Sequence, residues 1–476
     1  MSVMKKVATN YLVQMAGKGF SMLAGLLVVA LLTRYLSEED WAAYVTATTF
    51  LSFFAVFVDF GLTLTLTQMI SAVGADEKKI VGSIMGIRLA SGFVFYSLSA
   101  VVITLLPYSD TTKAGVAAGA AAFFFMSAAG SMIGLFQKHL AMRRYVIAEL
   151  ASRALYLLLT FLCVVFGLGL VPILLAMGAA NGFWLLFVAV AARPFTVIRP
   201  QFNLTVWKDA FTRSAPIAIS TIFNLIYLRG DVLILAWVRP DDVGQYGTAY
   251  KVVDVMTAFP TMFMGLLLPQ LAIAWSEKNK EVFKNILQKA FNIFSIVVIP
   301  LFFGAQIVAV PLTELIAGER YATAGLVLQV LVFAIICVFI STLYGHTIVA
   351  LHKQKFMTWG YALTAVIAII GYVVFIPRYG MWGAAWVTCF SEFLIAALTF
   401  IVVSRVSRTL PNLLIAAKAT LAGLIMYLIL LVLPTWPVII TICFGAAIYS
   451  IVLVAIGGIN MKDIKSLMVK TPPSNL

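Results

Sequence analysis

Eleven ionisable side chains fall inside stretches that are otherwise apolar: Lys18, Asp59, Arg88, Glu149, Arg153, Arg229, Asp231, Lys251, Asp254, Glu392 and Lys418. At a lipid-facing helix centre each would cost roughly 2.5–3.5 kcal/mol. Together these costs exceed the stability of an ordinary fold, so most of the groups must face water or one another. Glu149 and Arg153 are four residues apart on one helix face, which predicts a local ion pair. Lys418 lies about a turn inside its run and can reach the headgroups with its ammonium. Glu392 stands mid-run with no evident partner.

The remaining charges separate by depth. Lys18 and Arg88 lie about two turns, roughly 12 Å, from the inner ends of the first and third runs. Asp59 is near the middle of the second run, Arg229 and Asp231 in the outer half of the seventh. Lys251 is two turns in from the outside of the eighth, with Asp254 one turn deeper. One reading makes these neutralised pairs that hold helices together. The other is a cavity of fixed positive charge suited to an anionic, amphipathic substrate. In that cavity Arg88 and Arg229 would clamp phosphate oxygens with paired donors while Lys18 and Lys251 supply point charges. Asp59 first, and Asp254 second, would bind H⁺ or Na⁺ and couple its gradient to opening. Gln14, Gln68, Asn181, Asn224, Tyr227, Tyr246 and Tyr250 would add hydrogen-bonding and stacking surface of the kind a sugar needs.

No further cofactor is expected. The cysteines (Cys163, Cys337, Cys389, Cys443) and histidines (His139, His346, His352) are scattered, which supports neither a disulfide framework nor a metal site. There is no G-x-x-x-x-G-K-[ST] loop for ATP and no catalytic constellation on a loop, so the chain does not read as an enzyme.

The elements that must position these groups are membrane helices. The chain has 476 residues, 62% hydrophobic and 11% charged, with a mean hydropathy of +1.03, whereas a soluble domain carries about 25% charged residues. Fourteen runs are long enough to span a bilayer, at about 10–35, 41–73, 80–106, 114–136, 147–167, 170–192, 214–237, 244–273, 287–310, 322–351, 357–376, 381–404, 414–433 and 438–458. This predicts an all-α polytopic membrane protein without an extramembrane domain. Lys5 and Lys6 precede a first run too long for a cleavable signal. With both termini cytoplasmic, 22 of the 33 Lys and Arg fall on inner segments and five on outer turns. The basic balance thus reports topology and contact with anionic lipid headgroups, not nucleic acid. Pro216, Pro260, Pro269 and Pro300 interrupt spans seven to nine, as packing kinks or as hinges. Gly115-x-x-x-Gly119 is a helix-packing spacing.

The chain also repeats itself. Glu39-Asp40, Tyr44 and Thr46-Ala47 recur 202 residues later as Asp241-Asp242, Tyr246 and Thr248-Ala249. A weaker echo relates Arg144-Tyr145 to Lys355-Phe356. This divides the chain into an N-lobe (1–192, spans one to six), a cytoplasmic linker (193–213), a C-lobe (214–410, spans seven to twelve), and spans thirteen and fourteen with a cytoplasmic tail (411–476). An even number of spans per copy relates the lobes by a pseudo-twofold along the membrane normal.

Several stretches carry a family likeness: Leu31-Leu32-Thr33-Arg34-Tyr35-Leu36 before an acidic turn; Asp59-Phe60-Gly61-Leu62; Asp242 through Lys251; Gly318-Glu319-Arg320-Tyr321; and Tyr379-Gly380-Met381-Trp382-Gly383-Ala384. In their order and spacing the chain resembles the Wzx-like polysaccharide (oligosaccharide-lipid) flippases of the multidrug/oligosaccharidyl-lipid/polysaccharide exporter superfamily. The resemblance implies two six-helix lobes around a central cavity. It implies ion-coupled transfer of an undecaprenyl-diphosphate-linked oligosaccharide, an O-antigen, capsule or exopolysaccharide repeat unit, from the inner to the outer leaflet of a bacterial cytoplasmic membrane. It implies membrane lipids, a polysaccharide polymerase and a chain-length regulator as partners, and a lipid-tail groove at the last two helices. It does not match Lys18, Asp59 and Arg88 position by position, so their roles rest on depth and charge. A cation-coupled multidrug exporter of the same superfold is the alternative; its cavity would be acidic, whereas here six intramembrane cations meet five anions. An O-antigen polymerase is disfavoured by the lack of a large outer loop.

Overall fold

The computed structural model describes residues 3–72, 74–434 and 436–458, and every regular element among them is a helix. In chain order these are α1 (Val3–Tyr35), α2 (Glu38–Asp59), α3 (Leu62–Ile70), α4 (Glu77–Val102), α5 (Asp110–Ser131), α6 (Ile133–Lys138), α7 (Met142–Val165), α8 (Leu170–Ala192), α9 (Leu204–Val238), α10 (Pro240–Ser276), α11 (Lys280–Ala317), α12 (Ala322–Ala350), α13 (Gln354–Ser407), α14 (Leu414–Val432) and α15 (Val438–Ala455). The tail lysines Lys462, Lys465 and Lys470, and the side chains of Lys5, Lys6, Pro216, Lys355 and Phe356, lie outside the described residues.

Thirteen helices among the described residues are long and apolar enough to cross a membrane, against fourteen runs expected. The difference has one cause. The helical stretch Met357–Ser407 takes in two of the expected spans and bends at Gly380, where φ is 57° and ψ −136°. The all-helical, multi-pass architecture is as the composition requires.

The polar turns that separate the runs are helix caps. Ser37 accepts from the Asp40 N–H at 3.0 Å to open α2, and Glu38, Glu39 and Asp40 fill its first turn. Asp241 and Asp242 do the same for α10. Carboxylates there complement the positive end of the helix dipole, so the repeated acidic turn is a repeated helix start.

The chain forms two compact units. The first comprises Met1–Lys251, Ile316–Gly318 and Thr358–Thr388. In it α5 packs on α2, α4 and α8, and α7 on α1 and α8. Gly115 and Gly119 permit the close approach: a Cβ at Gly119 would lie 2.8 Å from Leu51 Cδ1, and one at Gly115 3.3 Å from Ala47 Cβ. The small-residue spacing on α5 is thus a packing surface, as expected. Residues 196–203 run as an extended strap along α4, with the Gln201 N–H donating to Gly82 O at 2.9 Å and Trp207 Nε1 to Ser83 O at 3.0 Å. The helix begins at Leu204, so the second half of the expected linker is already part of α9.

The second unit comprises Val252–Leu315, Glu319–Met357 and Cys389–Leu476. The rings of Phe259, Phe263, Phe294 and Phe339 cluster at its centre. Gln306 and Gln329 each donate a side-chain amide to the other's backbone carbonyl, at 3.1 and 2.8 Å. Pro260 and Pro269 sit inside α10, and Pro300 and Pro311 inside α11, without ending either helix. A proline cannot donate to the carbonyl four residues before it. For Pro300 that carbonyl is Ile296 O, and the Tyr449 hydroxyl on α15 supplies the missing donor at 2.9 Å. The same contact ties α15 to α11 beside the apolar cluster of Ala422, Met426, Leu430 and Leu453.

Two stability outcomes follow. Gly119→Leu should overpack the α2–α5 seam at about 1–3 kcal/mol and lower the unfolding temperature in detergent, while Gly130→Ala, where nothing lies within 4 Å, should not. Tyr449→Phe should strand the Ile296 carbonyl and cost about 1–3 kcal/mol, read in the same melt.

Candidate functional site

The Asp59-Phe60-Gly61-Leu62 motif is a break in a membrane helix. α2 stops at Asp59, Phe60 and Gly61 take positive φ (42° and 74°), and α3 starts at Leu62. The sequence predicts one unbroken span here. A break inside lipid leaves N–H and C=O groups that must find partners, and Asp59 supplies one, its Oδ2 accepting from the Gly61 N–H at 3.0 Å. Its Oδ1 accepts from Thr63 Oγ1 at 2.6 Å and from Arg88 Nη2. Arg88, on α4, also donates to Val58 O at 3.2 Å and to Thr63 Oγ1 at 2.6 Å. The Arg88 side chain is 1% accessible and that of Asp59 40%. Arg88 therefore braces the broken helix, and the carboxylate faces outward from the pair.

A second cluster forms around Asp231 on α9, which is fully buried. Its Oδ2 accepts from Tyr246 at 2.6 Å, Tyr250 at 2.7 Å and Thr388 at 3.2 Å, and its Oδ1 from the Val232 N–H at 2.7 Å. Tyr372 hydrogen-bonds with Thr388 at 3.1 Å and donates to Tyr227 O at 2.9 Å. These four donors satisfy both oxygens of the Asp231 carboxyl group. Arg229 lies over the Tyr250 ring at 4.9 Å, a cation–π contact that keeps its guanidinium beside this network. Sequence reasoning placed Asp231 in the membrane but did not assign it, and missed Tyr372 and Thr388 altogether. The tyrosines four apart on α10 were the available signal.

The other expected residues divide. Lys18 is exposed and enters none of the ion pairs among the described residues. Lys251 and Asp254 are half-buried, Lys251 closing the first unit and Asp254 belonging to the second. Of the six expected site residues, Asp59 and Arg88 pair directly with one another. The ion pair expected between Glu149 and Arg153 is not formed; Glu149 accepts from Ser21 Oγ on α1 at 3.1 Å. Lys418 donates to Gly457 O at 2.9 Å, just beyond the end of α15. Asn181 donates to Ala122 O and Asn224 to the Tyr227 hydroxyl, so both are used within the helix packing.

The motif stretches meet one another. Asp242 Oδ2 accepts from the Met381 N–H at 3.0 Å and fills the space where a Cβ on Gly380 would stand. Arg239 donates to Pro377 O at 3.1 Å, and Arg34 to Ile316 O, two residues before the positive-φ Gly318. The two repeat copies also touch. Trp41 Nε1 donates to Gly244 O at 3.1 Å and Thr248 Oγ1 at 3.0 Å, and a Cβ on Gly247 would lie 2.6 Å from Val45 Cγ1. Val45 and Gly247 are counterparts in the repeat, and contact between counterparts is what a local twofold produces.

Comparison with solved structures shows a fold shared with proteins of the MOP superfamily. The lipid II flippase MurJ in an inward closed conformation superposes with a TM-score of 0.77 at 14% identity, covering 92% of this chain and 97% of that one. An inward-facing multidrug resistance MATE family transporter gives 0.68 at 13% identity, covering 82% and 94%. A MOP superfamily transporter from Pyrococcus furiosus gives 0.62 at 12% identity, covering 85% and 96%. The chain belongs to the polysaccharide biosynthesis protein family, whose model matches residues 7–275. The probable low-salt glycan biosynthesis flippase Agl15 of Haloferax volcanii is 25% identical over 195 residues, 40% of this chain; the aligned stretch spans 41% of that relative's length.

Arg88→Gln and Asp59→Asn should each leave a partner stranded at the helix break, at about 3–5 kcal/mol for a fully buried pair and less here because Asp59 is partly accessible. The double variant should be more stable than the Asp59→Asn single, because it removes the buried charge as well as its partner. Thermal melts of the purified variants give the comparison.

Proposed function

We propose that this chain is a flippase, and not an enzyme, that moves a polyprenyl-diphosphate-linked oligosaccharide from the inner to the outer leaflet by ion-coupled alternating access. The observation that carries the reading is membership of the polysaccharide biosynthesis protein family over more than half of the chain. The likeness to Agl15, named a probable glycan biosynthesis flippase, points the same way. The carrier is undecaprenol and the membrane the bacterial cytoplasmic one, with both termini inside, in keeping with the charge bias of the loops. The glycan is an O-antigen, capsule or exopolysaccharide unit, delivered to a polymerase and a chain-length regulator.

The residues take roles consistent with their surroundings. Lys18, Arg229 and Lys251 meet the diphosphate-sugar, Arg229 with a forked donor set and the lysines as point charges. Arg88 acts through Asp59 by holding the broken helix. Asp59 and Asp254 are the coupling carboxylates for H⁺ or Na⁺. Protonation of Asp59 would weaken its hold on Arg88 and loosen the break between α2 and α3. An apolar cavity of about 260 Å³, lined by Pro300, Gly304, Met426, Leu430, Gly445 and Tyr449, suits part of a prenyl chain, since it offers methyl and methylene surface and little hydrogen bonding.

The multidrug exporter reading is favoured by the fold shared with the MATE transporter. The experiment that separates the two is display of glycan in cells that depend on this chain. Lys251→Ala and Arg229→Ala should each reduce surface glycan at least tenfold with the protein level in the membrane unchanged. Glycan display that survives both, alongside lost resistance to cationic drugs, would favour the exporter.

A further inference from the structure

The carboxylates within the spans are treated unequally among the described residues. Asp59 and Asp231 have donors on both oxygens. Glu392, on the part of α13 that belongs to the second unit, is 2% accessible. Its Oε1 is buried without a hydrogen-bond partner and is the one carboxylate oxygen so placed among the described residues. The titratable groups close enough to act on each other with it are the thiols of Cys337, on α12, and Cys389, one turn earlier on α13. The Cys389 thiol is turned to the α12 backbone, donating to Val330 O at 3.4 Å. Among the described residues no Lys, Arg or His side chain forms an ion pair with Glu392.

An ionised carboxylate with an unpartnered oxygen and no cation is the costliest polar arrangement a membrane interior can hold. The neutral acid removes the charge and leaves a much smaller penalty. We propose that Glu392 is a proton-binding site of this chain, occupied in the state described here and emptied when its surroundings open to water. The step is balanced as it stands: a carboxylate and a proton give a carboxylic acid, and one positive charge is carried for each cycle of loading and release. Its use in coupling rests on the transporter reading, and it would act in addition to Asp59 and Asp254. Proton occupancy is a property of the protein alone.

The test is infrared difference spectroscopy of the full-length protein in lipid nanodiscs at neutral pH. A carbonyl stretching band of a protonated carboxyl in apolar surroundings should be present in the wild type and absent in Glu392→Gln. The glutamine variant, a neutral isostere, should keep the wild-type melting temperature. Absence of the band from the wild type, or its persistence in Glu392→Gln, overturns the proposal. For coupling, Glu392→Gln is locked in the loaded form and should lower glycan display at least tenfold, while Glu392→Asp retains part of it. Wild-type display in Glu392→Gln overturns the coupling role. If the wild-type chain itself supports no glycan display, the flippase reading fails, and the infrared result still decides the proton site.

Discussion

The irregular features of these helices answer to one constraint: a polar group inside a bilayer needs a partner within the protein. The pair between Arg88 and Asp59 is one answer to it. The helix break at Phe60–Gly61 exposes backbone, Asp59 takes up the Gly61 N–H, and Arg88 neutralises Asp59 while donating to Val58 O. Removing any one member leaves the others unmatched. The Asp231 cluster solves the same problem with hydroxyl donors from α10 and α13.

The constraint also explains why the most recognisable stretches of the sequence turn out as braces. Asp242 seats the bend at Gly380, Arg239 and Arg34 cap carbonyls near helix ends, and Tyr449 takes the carbonyl that Pro300 frees. Each device lets a helix stop, bend or admit proline without exposing backbone to lipid.

How much of this was legible depended on range. Apolar run length is a local property, so the spans, the acidic helix starts and the packing glycines of α5 could all be read directly. Side-chain partners 128 or 157 residues away, such as Ser21 for Glu149 and Thr388 for Asp231, leave no local trace. The break after Asp59 was hidden because Phe60 is not a residue expected at positive φ. The run from Met357 to Ser407 reads as two spans because Gly380 interrupts the apolar pattern, and the non-helical backbone at Gly380 divides two helices there. The repeat offset was visible, but only the contact of Val45 with Gly247 gives it a physical meaning.

The central claim is that the chain carries a lipid-linked glycan across the bilayer. The most direct measurement places undecaprenyl-diphosphate-linked oligosaccharide in both leaflets of sealed vesicles containing the purified protein, then adds a membrane-impermeant reagent that modifies sugars. Nearly the whole pool should become modified, faster when a proton gradient is imposed, while protein-free vesicles stop near half. Modification that stops near half with the protein present would contradict it.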